Sequence, residues 1–277
     1  MTMKINTNTE ALFGQRILGN TKNETDTILK RIASGLRINQ ASDDAAGFGI
    51  SERLRYLTSG FEQAQSNIQD ATSALQVAEG GLSNVSDSLQ RIRELTVQAS
   101  NDTLTDTDRG AIQGEIDQLV QEIDRQTSST QFNGQPLLSG QFASGTGAFD
   151  VQLGPNEGES LAINIEKVNS STLGVAGLNV STRENASNAL SSIDTAISSV
   201  SSTRANIGAN TNRLESTNTY VGVARENTLS ALSQIRDADM AQQSTLLAIS
   251  QIKNQTGASA LIQANLNSQS ALKLLGS

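Results

Sequence analysis

Apolar residues between Ile50 and Ile92 recur at alternating steps of four and three. They are Ile50, Leu54, Leu57, Phe61, Ala64, Ile68, Ala71, Leu75, Ala78, Leu82, Val85, Leu89 and Ile92. This a/d seam runs for six heptads without a slip. It predicts one long helix lying against other helices. At 1.5 Å per residue the rod measures about 65 Å. Gly80-Gly81 falls inside it, and the register continues through Leu82, Val85 and Leu89. Two readings stand there: a tolerated or slightly bent helix, or a close approach of a second helix.

The pattern elsewhere organises itself around that rod. Before it, Ile28, Leu29, Ile32 and Leu36 form a narrow stripe, preceded by Leu12, Ile17 and Leu18 in a segment rich in Asn, Thr, Lys and Glu. Such a segment buries too little to offset its ordering entropy and needs a partner. Gly35 to Gly47 breaks the period. There Ser42-Asp43-Asp44 reads as an N-cap with acidic residues in the first turn, favoured by the helix dipole. Acid/base work is the competing reading, with no other titrating group near in sequence. After the rod, Thr105-Asp106-Thr107-Asp108 has the chemistry of a helix start. Ile112, Ile116, Leu119 and Ile123 continue it as an antiparallel neighbour.

From Gln131 to about Asn179 the period changes. Asn133-Gly134 is a turn signal. Phe149, Val151 and Leu153 alternate, Gly154 to Gly158 turns, and Leu161, Ile163 and Ile165 alternate again, which predicts a β-hairpin packed on the helices. Helix returns near Arg183 with a seam through Ala186, Leu190, Ile193, Ile197, Val200, Ile207, Leu214, Val221, Leu232 and Ile235. Arg204, Thr211, Asn218, Arg225 and Thr228 share the register, and polar seam residues fix register at a cost in stability. The serines around Ser198 and Ser202 sit off the seam, as a solvated face or as modification sites. The last stretch is rich in Gln, Asn, Ser and Ala and carries Leu246, Leu247, Ile249, Ile252, Leu261, Ile262, Leu266, Leu272, Leu274 and Leu275. Its only counterpart in character is the first segment, so the two ends are expected to pair. The fold class is mainly α: a long antiparallel coiled-coil-like helical bundle with a small β-hairpin insert and paired N- and C-terminal helices.

Composition narrows the function. The chain has 277 residues with no His, Cys or Trp. That removes the usual general base, thiol chemistry and most metal sites. No cofactor is expected, and no enzyme activity. The net charge of −8 argues against nucleic acid, and no apolar run approaches the roughly 20 residues of a membrane span. Residues Met1 to Glu10 lack an apolar h-region, so no cleavable signal peptide is expected.

Several blocks, in order, resemble bacterial flagellin. Ile5-Asn6-Thr7-Asn8 resembles the family's opening. Residues 31 to 39, Arg-Ile-Ala-Ser-Gly-Leu-Arg-Ile-Asn, and 42 to 47, Ser-Asp-Asp-Ala-Ala-Gly, are similar to its most recognisable block. Residues 89 to 95, 130 to 134, 235 to 241 and 263 to 265 match as well. The resemblance covers nearly the whole chain and implies a subunit that polymerises into the motility filament, exported unfolded through the flagellar type III system and placed in the extracellular flagellum. It also implies a layout: residues 1–34 with 244–277 as a terminal helical domain, 35–46 with 237–243 as a connecting spoke, and 47–236 as a rod domain. The rod domain would hold helices near 45–100, 105–129 and 183–236 and a β region near 131–179. Larger relatives insert outer domains where this chain has only about Ser170 to Asn185, so it reads as a short form.

Implied partners are further copies of the chain, an export chaperone on the C-terminal segment, junction and cap proteins, and host Toll-like receptor 5. Arg91, Leu95 and Gln98 follow i, i+4, i+7 and share a stripe beside the seam, with Glu115 one residue before Ile116 on the next helix. From spacing alone that stripe reads as a solvated, salt-linked face. Family members recognised by Toll-like receptor 5 use residues matching Arg91, Leu95 and Glu115, with Gln98 nearby. Leu95, apolar yet off the seam, is expected to be covered from outside the helix pair. Three other readings share parts of the pattern. They are a hook–filament junction protein, a signalling coiled coil, and a secreted pore-forming or translocator helical protein.

Overall fold

The computed structural model describes residues 7–143, 145 and 147–275, with the side chains of 268 and 271–275 excepted. Ile5 and Asn6 of the opening block, and the side chains of Leu272 and Leu275, lie outside the described residues. In chain order the elements are α1 Thr9–Ser34, α2 Ala45–Ala99, α3 Asp106–Ser129, β1 Gln131–Phe132, β2 Gln135–Pro136, β3 Phe149–Gln152, β4 Ser160–Ile163, α4 Arg183–Arg236 and α5 Met240–Leu275. They divide into two compact units, Leu57–Glu226 and Met1–Tyr56 with Asn227–Ser277. The mainly helical class with a small hairpin and paired end helices is what the periodicity predicts.

In the 57–226 unit, α2, α3 and α4 share one hydrophobic core with the β region. Ion pairs Arg225–Glu62, Arg204–Glu79 and Arg93–Asp194 set α4 antiparallel to α2. The α2 seam is fully buried from Ala64 to Ile92, including Ile68, Leu75, Leu82, Val85 and Leu89. Leu57 and Phe61 are only half-buried. The β3–β4 hairpin, with Val151 opposite Leu161, presents its turn to α2: a Cβ on Gly60 would lie 2.4 Å from Pro155 Cβ. Cover on the second side of α2 therefore begins only near Gly60. On α4 the deepest positions are Ala186, Ile193, Val200, Ile207, Leu214 and Val221, joined by Ala189, Ala196 and Thr203. The small side chains allow close approach, and Leu190, Ile197 and Arg204 are displaced to the half-buried edge.

Gly81 is a close-approach site, but its neighbour is not a helix. A Cβ there would stand 2.5 Å from Thr130 Oγ1 and 3.2 Å from Leu138 Cδ1, whereas Gly80 faces open space. The expected start of α3 is present as a capping box. Thr105 Oγ1 accepts from Asp108 N, and the Asp108 carboxylate accepts from Thr105 N at 3.0 Å. The Asn133-Gly134 turn joins β1 to β2 with φ of 49° and 77°, the left-handed pair that a two-residue hairpin requires.

In the other unit α1 packs along α5. The connecting segments meet in a backbone bridge, with Leu36 paired to Asp237, Arg37 N donating to the Arg236 carbonyl at 2.6 Å, and Ala238 N to that of Gly35 at 2.9 Å. Leu36 thus serves the bridge, one residue beyond the αL Gly35 that ends α1. Asp44, not Ser42 or Asp43, caps α2 by accepting from Gly47 N. Asp43 accepts instead from Asn39 N and Gln40 N. Those two bonds hold its carboxyl below the usual range, so backbone hydrogen bonding accounts for both acids, as a helix cap at Asp44 and a loop tie at Asp43. Arg236 reaches Glu52 at 2.8 Å and lies over the Phe48 ring. Ile50 is 53% exposed and Leu54 half-buried, so the seam does not extend to its first predicted residue. The partner α4 ends at Arg236, opposite Glu52, which leaves Ile50 with nothing to cover it.

Candidate functional site

Two surfaces hold the residues the sequence singles out. The first is on α2 and α3. Arg91 Nη2 lies 2.9 Å and Nε 3.2 Å from the same Glu115 oxygen, and Nη1 lies 3.3 Å from Glu94. The hydrogen bonds that Arg91 donates to Glu115 and then Glu94 raise its pKa. Arg91 and Glu115 are each about half exposed, so the pair adds little stability, yet it fixes one planar guanidinium on the surface. Gln98 is exposed beside them.

Leu95 departs from the expectation. It is 3% exposed and belongs to the core. The heptad argument treats α2 as having one partner, whereas α3 packs on a second side. That widens the buried face to Leu95, Thr96 and Ala99. Leu95 therefore belongs to the core and offers no surface of its own.

Arg109 is a residue the pattern does not reveal. It is buried and donates to the carbonyls of Ala99, Asn101 and Leu104, closing the turn between α2 and α3. Position 109 carries no apolar signal; a buried arginine beside a helix C-terminus is legible only in three dimensions.

The second surface is the α1–α5 pair. Its seam is small and polar. A Cβ on Gly14 would meet Leu261 Cδ1 at 3.1 Å, and one on Gly257 would meet Leu18 Cδ1 at 3.3 Å. Each helix thus seats its leucine over the other's glycine, through Gly14-x3-Leu18 and Gly257-x3-Leu261. Between them and the bridge lie Thr21, Thr25, Ile28, Leu247, Ser250 and Asn254. Thr25 and Ser250 hydroxyls are 2.5 Å apart, and Asn254 Nδ2 is 3.0 Å from Thr25 Oγ1. Asn8 donates to the Ala264 carbonyl at the far end.

Of the apolar residues predicted for this pair, Ile28 is buried and Ile32, Leu247 and Leu261 are half-buried. Leu29, Leu246, Ile252, Ile262 and Leu266 are exposed, along with Leu12, Phe13, Ile17 and Ile249. The expectation that they serve the pairing is corrected: threonine, serine, asparagine and glycine fill the seam, so the large side chains turn outward. The heptad steps Gly14, Leu18, Thr21, Thr25, Ile28 were present in the sequence, but a scan for apolar residues passes over them.

Among the described residues no three acidic, His or Cys side chains are placed to hold a metal, and no helix is long and apolar enough to cross a membrane. Ser198 and Ser202 of α4 line an open groove with Lys167, from the segment between β4 and α4.

The profile of the bacterial flagellin N-terminal helical region matches residues 5–143, and that of the C-terminal helical region matches residues 190–275. The chain is 42% identical over 285 residues to the flagellar filament 33 kDa core protein of Treponema phagedenis, covering 99% of this chain and all of that protein. It is 40% identical over 275 residues to a flagellin of Halalkalibacterium halodurans, with the same coverage. The crystal structure of Bacillus cereus flagellin superposes with a TM-score of 0.50 at 32% identity, over 56% of this chain and 88% of that one. A structure assigned to the flagellar hook-associated group from Vibrio parahaemolyticus gives a TM-score of 0.59 over 70% of this chain and all of that one, and at 21% identity it bears on fold alone. With both end regions matched and relatives aligned over their full length, the chain belongs to the bacterial flagellin family and is a structural subunit of the flagellar filament.

Proposed function

We propose that the subunit joins its neighbours in the filament through the outward faces of α1 and α5. The observation that carries this reading is the band of exposed apolar side chains there, including Phe13, Leu29, Ile252 and Ile262. Patches of that kind mark interaction surfaces. Identical copies that meet through different faces grow open filaments where the rotation between them does not close a ring. Before assembly the same exposed C-terminal segment is the stretch an export chaperone covers, and the chain travels unfolded through the flagellar export route to the extracellular flagellum. Junction and cap proteins meet the same filament ends, and the chain has no catalytic role.

Deleting residues 244–277 tests the reading. The 57–226 unit keeps its helical circular dichroism, while filaments and chaperone pull-down are lost. Normal filaments from the truncated chain refute it.

The α2–α3 surface supports a receptor role. Arg91, with Glu115 and Gln98, forms an exposed polar patch, while Leu95 lies in the core. The free subunit binds Toll-like receptor 5 there, and the assembled filament, where neighbours cover this face, binds less. Arg91→Ala removes a planar donor fork and weakens binding by about 1–3 kcal/mol. Equal affinity of receptor ectodomain for the subunit, the variant and cross-linked filament returns the patch to a solvated face.

A further inference from the structure

We propose that Asn133 is a deamidation site gated by conformation: the folded turn holds it inert, and an open hairpin lets the Gly134 amide convert it to isoaspartate, which cannot re-form the turn.

The chemistry follows from the residue pair. The Gly134 nitrogen attacks Asn133 Cγ and gives up its proton, and the side-chain nitrogen leaves as ammonia. The product is a five-membered succinimide, which water then opens. Cleavage between the nitrogen and Cγ leaves aspartate. Cleavage between the nitrogen and the main-chain carbonyl carbon of residue 133 leaves isoaspartate, whose backbone runs through Cβ and Cγ. No oxidant or reductant enters. A side chain on the following residue shields the attacking nitrogen, so glycine is the residue that exposes it. Asn133 is the only asparagine in the chain that glycine follows.

Both residues are exposed, and the space around Gly134 is open. Burial therefore does not protect the pair; backbone geometry does. Asn133 stands at φ 49° and Gly134 at 77°, the left-handed pair of a two-residue turn. In that region ψ is about +47°. The next nitrogen then lies almost opposite Cβ about the Cα–C bond, whereas the ring needs the two nearly eclipsed. The required rotation pulls Gly134 out of the turn and breaks the pairing of Gln131 with Pro136 and Phe132 with Gln135. That pairing is short, but the corner behind it is anchored. Leu137 N donates to the Thr130 carbonyl at 3.1 Å, Leu137 and Leu138 are buried, and Thr130 and Leu138 sit against Gly81.

The two products differ in what they do to the turn. Aspartate adds a charge, but Asn and Asp both tolerate left-handed backbone. Isoaspartate puts one more atom into the main chain of a two-residue loop. Register in such a hairpin is set by loop length and turn type. Gln131 and Phe132 therefore lose their partners, and the corner no longer seats over Gly81. A chain that stays unfolded acquires a mark that a folded chain does not.

The full-length chain is incubated at mildly alkaline pH, folded in buffer and unfolded in guanidinium chloride. Peptides spanning residue 133 are resolved into Asn, Asp and isoaspartate forms by chromatography with mass detection. The folded chain converts at least about tenfold more slowly, the ratio reporting how rarely the turn opens. Equal rates overturn the gate. Gly134→Ala, incubated unfolded so that folding is not at issue, loses most of the conversion; conversion at the parent rate overturns the role of the glycine amide. Chains aged unfolded are then refolded, and hydrogen exchange at Leu137 is read. The isoaspartate fraction loses protection there, while Asn133→Asp keeps it. Protection equal to the parent's in the isoaspartate fraction overturns the claim that the product cannot re-form the turn.

Discussion

Replacing Arg109 by Met is expected to lower the stability of the 57–226 unit by roughly 2–4 kcal/mol. The Arg109 side chain is 7% exposed. Its Nε donates to the Ala99 carbonyl at 2.9 Å, Nη2 to that of Asn101 at 2.8 Å and Nη1 to that of Leu104 at 2.9 Å. These are bonds from a charged donor, each worth about 1.5–3 kcal/mol, so a naive sum is larger than the expected loss. Two effects reduce it. Met removes a buried charge whose desolvation costs several kcal/mol. The Asn101 and Leu104 carbonyls also lie at the surface turn and regain water. The Ala99 residue is fully buried, so its carbonyl stays unsatisfied, at about 1–3 kcal/mol. Loss of a cation at the α2 C-terminus adds about 0.3–2 kcal/mol.

Urea melts followed by circular dichroism measure this loss, with an unchanged m-value required for the comparison. Arg109→Lys keeps the charge but not the fork and falls between the two. Limited proteolysis at residues 100–105 accelerates in the same order. A Met variant within about 0.5 kcal/mol of the parent, the range of ordinary surface changes, refutes the clamp.

Leu89→Ala, at a fully buried seam position, costs about 2–4 kcal/mol. Ile50→Ala, at an equivalent heptad position that is exposed, changes stability by less than about 1 kcal/mol; thermal melts that rank them equally refute the burial argument. Asp43 has its folded pKa depressed by the amides of Asn39 and Gln40. Its contribution is therefore complete above its unfolded value near 3.8 and is lost as pH falls through the lower folded value. Amide protection at Asn39 and Gln40 follows that curve, and Asp43→Asn abolishes the pH dependence; a persistent acid transition in Asp43→Asn assigns the effect to another group.

Where the seam is apolar and has one clear partner, periodicity alone locates the buried residues, as from Ala64 to Ile92. It fails where the number of partners changes. Ile50 has too few partners and is exposed; Leu95 has one more than the heptad assumes and is buried. Nothing in a one-dimensional pattern counts neighbours. It fails again where the seam is polar. Thr25, Ser250 and Asn254 carry no hydrophobic signal, and their role appears only when both helices are in place. The Arg91–Glu115 pair was half legible: spacing put each residue beside its seam, while the bond between them depends on the α2–α3 alignment.

The two units differ in net charge. Residues 57–226 hold nine basic and twenty acidic side chains, and the remainder holds eleven basic and eight acidic. The net charges are −11 and +3. That net charge gives copies of the acidic unit a mutual repulsion whose range is set by the Debye length, about 8 Å at physiological salt. Most of its basic groups already sit in ion pairs within the chain, as at Arg91, Arg93, Arg125, Arg204 and Arg225, so few remain to answer a neighbour. The terminal unit lacks that penalty. Its α5 has no carboxylate in 36 residues, and apolar side chains occupy its outward positions. The proposed contact through α1 and α5 therefore meets less charge repulsion than one through the acidic unit.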